Sequence, residues 1–177
     1  MHEVCVTHDF KFPQEQVFDG ICEHVEFLST SSIRCRMIHE GKTDPSGLGA
    51  LREVKKGSIL FEEAITAFDR PNAYEYRILA LRGPFKFKLP FHHEHGRLEL
   101  AFIDGQTRLV WTSRFHFSIP LLGKWIERKL GSSISASFAF FLHRLDSRLQ
   151  NSQARAGTCP PQNRRLQPMP GQKCERY

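Results

Sequence analysis

Apolar side chains recur at every second position near the start of the chain. Val4, Val6, His8, Phe10 and Phe12 alternate with Glu3, Cys5, Thr7, Asp9 and Lys11. A period of two places each set on its own face, so this segment predicts a half-buried strand. Pro13 ends the ladder and suits the first turn of a helix. Val17, Phe18 and Ile21 then mark one short helix, and Val25, Phe27 and Leu28 mark a second. Alternation returns at Ile33, Cys35 and Met37, and after the turn cluster Ser46-Gly47-Leu48-Gly49 the chain reads as a meander of strands.

Three turns set the register of that meander. Lys55-Lys56-Gly57-Ser58 pairs Val54 with Ile59, Arg52 with Phe61, Ala50 with Glu63 and Leu48 with Ile65. Asp69-Arg70-Pro71-Asn72 pairs Ala67 with Tyr74, Ile65 with Tyr76 and Glu63 with Ile78. Asp104-Gly105 is a two-residue hairpin signal. It pairs Leu100 with Leu109, Leu98 with Trp111, Gly96 with Ser113, Glu94 with Phe115 and His92 with Phe117. In each hairpin the apolar residues share one face, and a slip by one residue would turn that face to water. The opposite face of the last hairpin carries His93, His95, Arg97 and Glu99 against His116, Arg114, Thr112 and Val110.

From about Pro120 the period becomes helical. Leu122, Ile126, Leu130, Ile134, Phe138, Leu142, Leu145 and Leu149 form one stripe, widened by Trp125 and Phe141, with a kink expected at Gly131-Ser132-Ser133. A stripe of this length needs an apolar sheet to cover it.

Composition narrows the classes. The 177 residues suit one domain with a sizeable core, and 40% hydrophobic with 25% charged residues is ordinary for a soluble globular protein. Fifteen Phe against two Trp and three Tyr can line a cavity as well as fill a core. The net charge is +6, but +4 of it lies in Asn151–Tyr177, leaving a near-neutral body without the clustered basic face that nucleic acid requires. That basic tail holds four Pro, four Gln and one aromatic, so residues 1–150 are expected to form the domain and 151–177 a disordered, solvated tail. Cys5, Cys22, Cys35, Cys159 and Cys174 show neither disulfide-framework nor CxxC spacing. With no secretory pattern at Met1-His2-Glu3-Val4 and no apolar run of ~18 residues, the expected location is cytoplasmic.

Phe12-Pro13-Gln14-Glu15-Gln16-Val17-Phe18, Gly47-Leu48-Gly49-Ala50-Leu51-Arg52-Glu53-Val54 and Gly105-Gln106-Thr107-Arg108-Leu109-Val110-Trp111, in this order of elements, resemble the helix-grip superfamily. It includes START-type lipid-transfer domains, birch-pollen-allergen-like and plant hormone-receptor proteins, and a polyketide cyclase/dehydrase-like branch. The resemblance spans about residues 3–149. It implies an α+β fold, with a curved seven-stranded antiparallel sheet gripping the long C-terminal helix and two short helices after strand 1. It also implies a cavity between sheet and helix, where relatives bind sterols, lipids, hormones or polyketides and a minority cyclise or dehydrate them. Arg52 and Glu63 match positions that face the cavity in the hormone-receptor branch. The lysine with which that branch holds its ligand's carboxylate has no counterpart, so that ligand is not carried over.

The register places Arg52, Phe61, Glu63, Ile65, Tyr74, Tyr76, His92, Glu94, Leu98, Trp111, Ser113 and Phe115 on the inner, ligand-binding face. Arg52 and Glu63 read either as a clamp for a carbonyl or carboxylate or as a structural ion pair. His92 and Glu94 are the candidates for acid–base work, since a histidine titrates near working pH. His93, His95 and His116 read as a solvated histidine-rich strand in preference to a zinc site, so no metal and no cofactor are expected. Phe85-Lys86-Phe87-Lys88-Leu89-Pro90-Phe91 reads either as an edge strand guarded by lysines or as a lid touching a membrane surface. The leading reading is a carrier or sensor of a small hydrophobic, lipid-like or aromatic ligand. The second is a cyclase or dehydratase using His92, Glu94 and Tyr74 or Tyr76, and the third an interaction module acting through the tail.

Overall fold

Seven strands form one antiparallel sheet whose order places the first strand beside the last. The computed structural model describes residues 1–84, 87–120 and 122–157. The chain runs β1 (His2–Phe10), α1 (Gln14–Cys22), α2 (His24–Leu28), β2 (Ile33–His39), β3 (Leu51–Lys56), β4 (Ile59–Asp69), β5 (Ala73–Arg82), β6 (Phe91–Ile103), β7 (Gln106–Phe117) and α3 (Gly123–Gly157). In the sheet the order is β1-β7-β6-β5-β4-β3-β2. The consecutive hairpins bring β1 and β2 to opposite edges, and α1 and α2 bridge them. Helix α3 lies along the inner face against β1 and β7. Its Phe138, Phe141, Leu142, Leu145 and Leu149 are buried among Val4, Phe10, Leu98, Leu109, Trp111 and Phe115 of the sheet.

The first hairpin keeps its expected faces with changed partners, and the other two keep theirs only as far as a bulge. Gly57 adopts φ 59°, and this left-handed conformation permits a two-residue turn instead of four. Lys56 therefore pairs with Ile59, Val54 with Phe61 and Arg52 with Glu63. The register moves by two residues, so no side chain changes face. In the second hairpin Ile65 pairs with Tyr76 and Glu63 with Ile78, but a bulge between Ile65 and Ala67 places Phe68, not Ala67, opposite Tyr74. In the third, Leu100–Leu109, Leu98–Trp111 and Gly96–Ser113 pair as expected, and then a bulge intervenes between His93 and His95. Beyond it His93 pairs with Phe115, His92 with His116 and Phe91 with Phe117. One extra residue in β6 inverts the faces of everything before it.

The helix passes Gly131 without a break. Its stripe fails at the start, where Leu122 is 59% and Trp125 61% exposed. Strand β7 ends at Phe117, whose backbone N–H donates to the buried Glu127 carboxylate at 2.9 Å. This tether turns the Glu127 side of the first turns inward and leaves the Leu122 and Trp125 side beyond the edge of the sheet. At the other end α3 runs past the expected boundary at 150, so residues 151–157 are helical. The rest of the tail lies outside the described residues.

Candidate ligand cavity

Between the sheet and α3 lies a cavity of about 230 Å³. Period-two positions supply its sheet wall: Arg52, Val54 and Lys56; Ile59, Phe61 and Glu63; Tyr76 and Ile78; Trp111 and Ser113. Leu28 and Ile33 close one side, and Leu130, Ser133, Ile134, Ser137, Phe138 and Phe141 form the helical wall. Trp111 stacks on Phe138 with ring centroids 3.7 Å apart and planes 7° from parallel, joining the two walls. Ile33, Lys56, Ser133, Ser137 and Phe141 also border a surface depression, which marks the mouth. A larger, more open groove of about 730 Å³ separates α2 from the last turns of α3. There Arg144 donates to the carbonyls of Glu26, Phe27 and Ser29, while Arg148 pairs with Glu23 and Glu26. With those cations engaged, the less open, aromatic-walled cavity is the better ligand site.

Its polar end is a buried network. Arg52 Nε donates to Glu63 Oε2 at 2.8 Å, and the two side chains are 1% and 9% exposed. A second guanidinium nitrogen donates to His24 Nδ1 at 2.8 Å, and His24 Nε2 then donates to the Ser46 carbonyl at 3.0 Å. Burial, with the Arg52 charge adding to it, pushes His24 down to about 3, so the ring is neutral. Burial alone would weaken the hold of Arg52 on its proton, but the adjacent Glu63 carboxylate outweighs it and holds the guanidinium above its ordinary value. The Tyr76 ring lies under the guanidinium, with the centroid 5.3 Å away. Tyr74 is buried beside them; burial raises its phenol to about 12, and its hydroxyl has no hydrogen-bond partner among the described residues.

The bulge in β6 decides which histidine belongs to the site. His93 is buried; Nδ1 accepts the Ile78 backbone N–H at 3.1 Å, and Nε2 lies 3.0 Å from Ser113 Oγ. Burial, helped by the charges of His95, Arg77 and His92, pushes it down to about 3. His92 is exposed, its ring 5.0 Å from that of His116 on the outer face. Glu94 sits in the bulge, half-buried, with Oε2 unpartnered among the described residues. His92 and Glu94 therefore do not share an inner face, and His93 does not join His95 and His116 outside.

Of the expected inner residues, Arg52, Phe61, Glu63, Tyr76, Trp111 and Ser113 line the cavity. Ile65, Tyr74, Leu98 and Phe115 are buried in the core around it. The sequence reading missed His24, which sits in a five-residue helix too short for periodicity to show a face. Val54, Ile59 and Ile78 also line the cavity; register placed them on this face, but they were not among the expected ligand-binding residues. In the lysine–phenylalanine segment, Phe85 and Lys86 lie outside the described residues, Phe87 is 70% exposed, and Lys88 bridges to Arg82.

A curved seven-stranded antiparallel sheet holding a long C-terminal helix, with two short helices after the first strand, defines a helix-grip protein. Residues 1–150 match the family described as polyketide cyclase / dehydrase and lipid transport, and the chain belongs to that family. Among solved structures it is similar to TTHA0849 from Thermus thermophilus, with TM-score 0.64 and 14% identity over 85% of this chain and 98% of that one. Protein Ms6760 from Mycobacterium smegmatis gives TM-score 0.62 and 11% identity over 85% and 92%. Ara h 8.0201 gives TM-score 0.58 and 18% identity over 82% and 98%. Likeness at such identities shows the fold alone. Comparison with curated proteins gives no match. Among the described residues no helix is long and apolar enough to cross a membrane.

Proposed function

We propose that the protein binds a small hydrophobic ligand, lipid-like or aromatic, in the cavity between the sheet and α3, and acts as its carrier or sensor. The observation that carries this is a space between sheet and helix with aromatic and aliphatic walls, the buried Arg52–Glu63 pair inside it and Lys56, Ser133 and Ser137 at its mouth. The family description, which includes lipid transport, supports the same reading. A cyclase or dehydratase would use the same space, but general acid–base work needs a group that can exchange a proton near neutrality. Both histidines beside the cavity are pushed down to about 3, and each has its Nδ1 lone pair already engaged by a donor. This favours binding over chemistry. The proposed setting is the cytoplasm, with loading by transient contact of the 85–91 segment with a membrane, where the exposed Phe87 beside Lys88 suits an interfacial position.

Native mass spectrometry of protein purified from its own host tests the proposal. A retained apolar compound, lost on denaturation and displaced when Phe138 is enlarged to Trp, is the expected result. Conversion of that compound by the wild-type protein would replace the carrier reading with the enzymatic one.

A further inference from the structure

Two hydroxyls on the cavity wall are engaged from behind. The Trp111 indole can only donate, and its Nε1–H reaches the Tyr76 hydroxyl at 3.2 Å. His93 accepts the Ile78 N–H on Nδ1, and a neutral imidazole accepting there carries its proton on Nε2. That nitrogen, 3.0 Å from Ser113 Oγ, is therefore the donor and the serine the acceptor. The environment agrees, since burial disfavours a doubly protonated ring. A hydroxyl that accepts one hydrogen bond still has its own proton to place. Both residues line the cavity, and among the described residues no hydrogen bond uses either proton.

Gly96 makes the arrangement possible. It pairs with Tyr76 on one side and Ser113 on the other. A Cβ at this position would sit 2.2 Å from Tyr76 Cζ, so only glycine lets the ring lie across β6 with its hydroxyl at Trp111. The charge at this end is also already balanced. Arg52 is paired with Glu63, so a carboxylate ligand would find no unpaired cation at this end, Lys56 lying at the mouth.

From this geometry we infer that this part of the cavity favours a neutral aromatic compound carrying a carbonyl oxygen, with Tyr76 and Ser113 supplying two O–H groups and Gly96 positioning the first. A ketone or quinone oxygen has two lone pairs and can take both. The inference rests on the ligand-binding reading and specifies the chemistry of its occupant.

Four tricyclic probes of nearly equal size test it by calorimetry on the full chain near neutral pH: fluorenone (acceptor), fluorene (neither), carbazole (donor) and fluorenecarboxylate (anion). Fluorenone should bind about five- to tenfold more tightly than fluorene, the scale of one or two net hydrogen bonds. Carbazole and fluorenecarboxylate should bind more weakly than fluorenone. Tyr76→Phe and Ser113→Ala should each shrink the fluorenone advantage and together abolish it, while fluorene affinity reports that the cavity persists. Carbazole or the anion matching fluorenone in the wild type would overturn the donor assignment, and this arm needs no variant to fold. So would an advantage that survives the double substitution. Failure of all four to bind would instead remove the ligand-binding reading beneath it.

Discussion

Arg52 and Glu63 stand directly opposite each other across the β3–β4 pair, Nε to Oε2 at 2.8 Å, both inside the protein. Two charges taken out of water lose several kcal/mol of hydration each, and their attraction offsets this only when the remaining donors are also satisfied. His24 takes one of those donors, and the Tyr76 ring covers the guanidinium face.

Removing one partner should therefore be worse than removing both. Arg52→Met leaves a buried carboxylate alone and is expected to cost ~3–5 kcal/mol in urea unfolding, whereas Arg52→Met with Glu63→Leu should recover most of that loss. A double variant as unstable as the single one would mean that packing of the Arg52 stem, not its charge, matters at this site.

Acid should destabilise the fold before its carboxylates titrate. His24 and His93 have an ordinary value of 6.5 and are held near 3 in the folded protein. Below 6.5 the unfolded chain takes up protons that the folded chain refuses, so stability falls as pH drops from 6.5 toward 3 and is unaffected above about 7. The slope approaches ~1.4 kcal/mol per pH unit for each histidine. Melting curves between about pH 7.5 and 5 check this, and His93→Gln should roughly halve the slope; an unchanged slope would exclude His93 as a source.

Neighbouring histidines on β6 should behave oppositely. His92→Ala alters an exposed ring and should stay within ~0.5 kcal/mol of the wild type. His93→Ala leaves the Ile78 N–H without its acceptor and opens a void under Tyr76, and should cost ~2–3 kcal/mol. Equal costs at the two positions would remove the bulge from this account.

Trp111 joins the walls of the cavity. Trp111→Ala is expected to cost ~3–5 kcal/mol because it removes the partner of Phe138, Phe27 and Tyr76 at once. Trp111→Phe should keep much of the stacking but free the Tyr76 hydroxyl from its donor, with a loss nearer ~1–2 kcal/mol. Similar losses for both would assign the stability of this wall to the indole N–H.

Much of the architecture was legible in local pattern. Alternation at Val4–Phe12, the Asp104-Gly105 turn and the stripe from Ile126 to Leu149 each report burial through a period that the backbone imposes, and those elements formed where expected. The resemblance of three segments to the helix-grip superfamily then supplied the topology that periodicity cannot. Arg52, Phe61, Glu63, Tyr76, Trp111 and Ser113 reached the cavity wall even though β3 runs two residues further before the first hairpin turns, because a shift of two preserves parity.

By itself the sequence determined which residues face inward wherever a strand runs unbroken, because side-chain parity is a local property. Tertiary structure alone decided where parity is reset and where a face loses its cover. The bulge at Glu94 is held from other strands, by Arg77 donating to the Glu94 carbonyl at 3.1 Å and by His93 fitting between Ile78 and Ser113. None of those partners is near Glu94 in the chain, so no window of sequence could show His93 exchanging places with His92. Likewise Trp125 reads as core in its helical stripe and is exposed because β7 ends at Phe117 and no sheet continues beneath it. Period is written residue by residue, but the surface that a side chain meets is made by the rest of the fold.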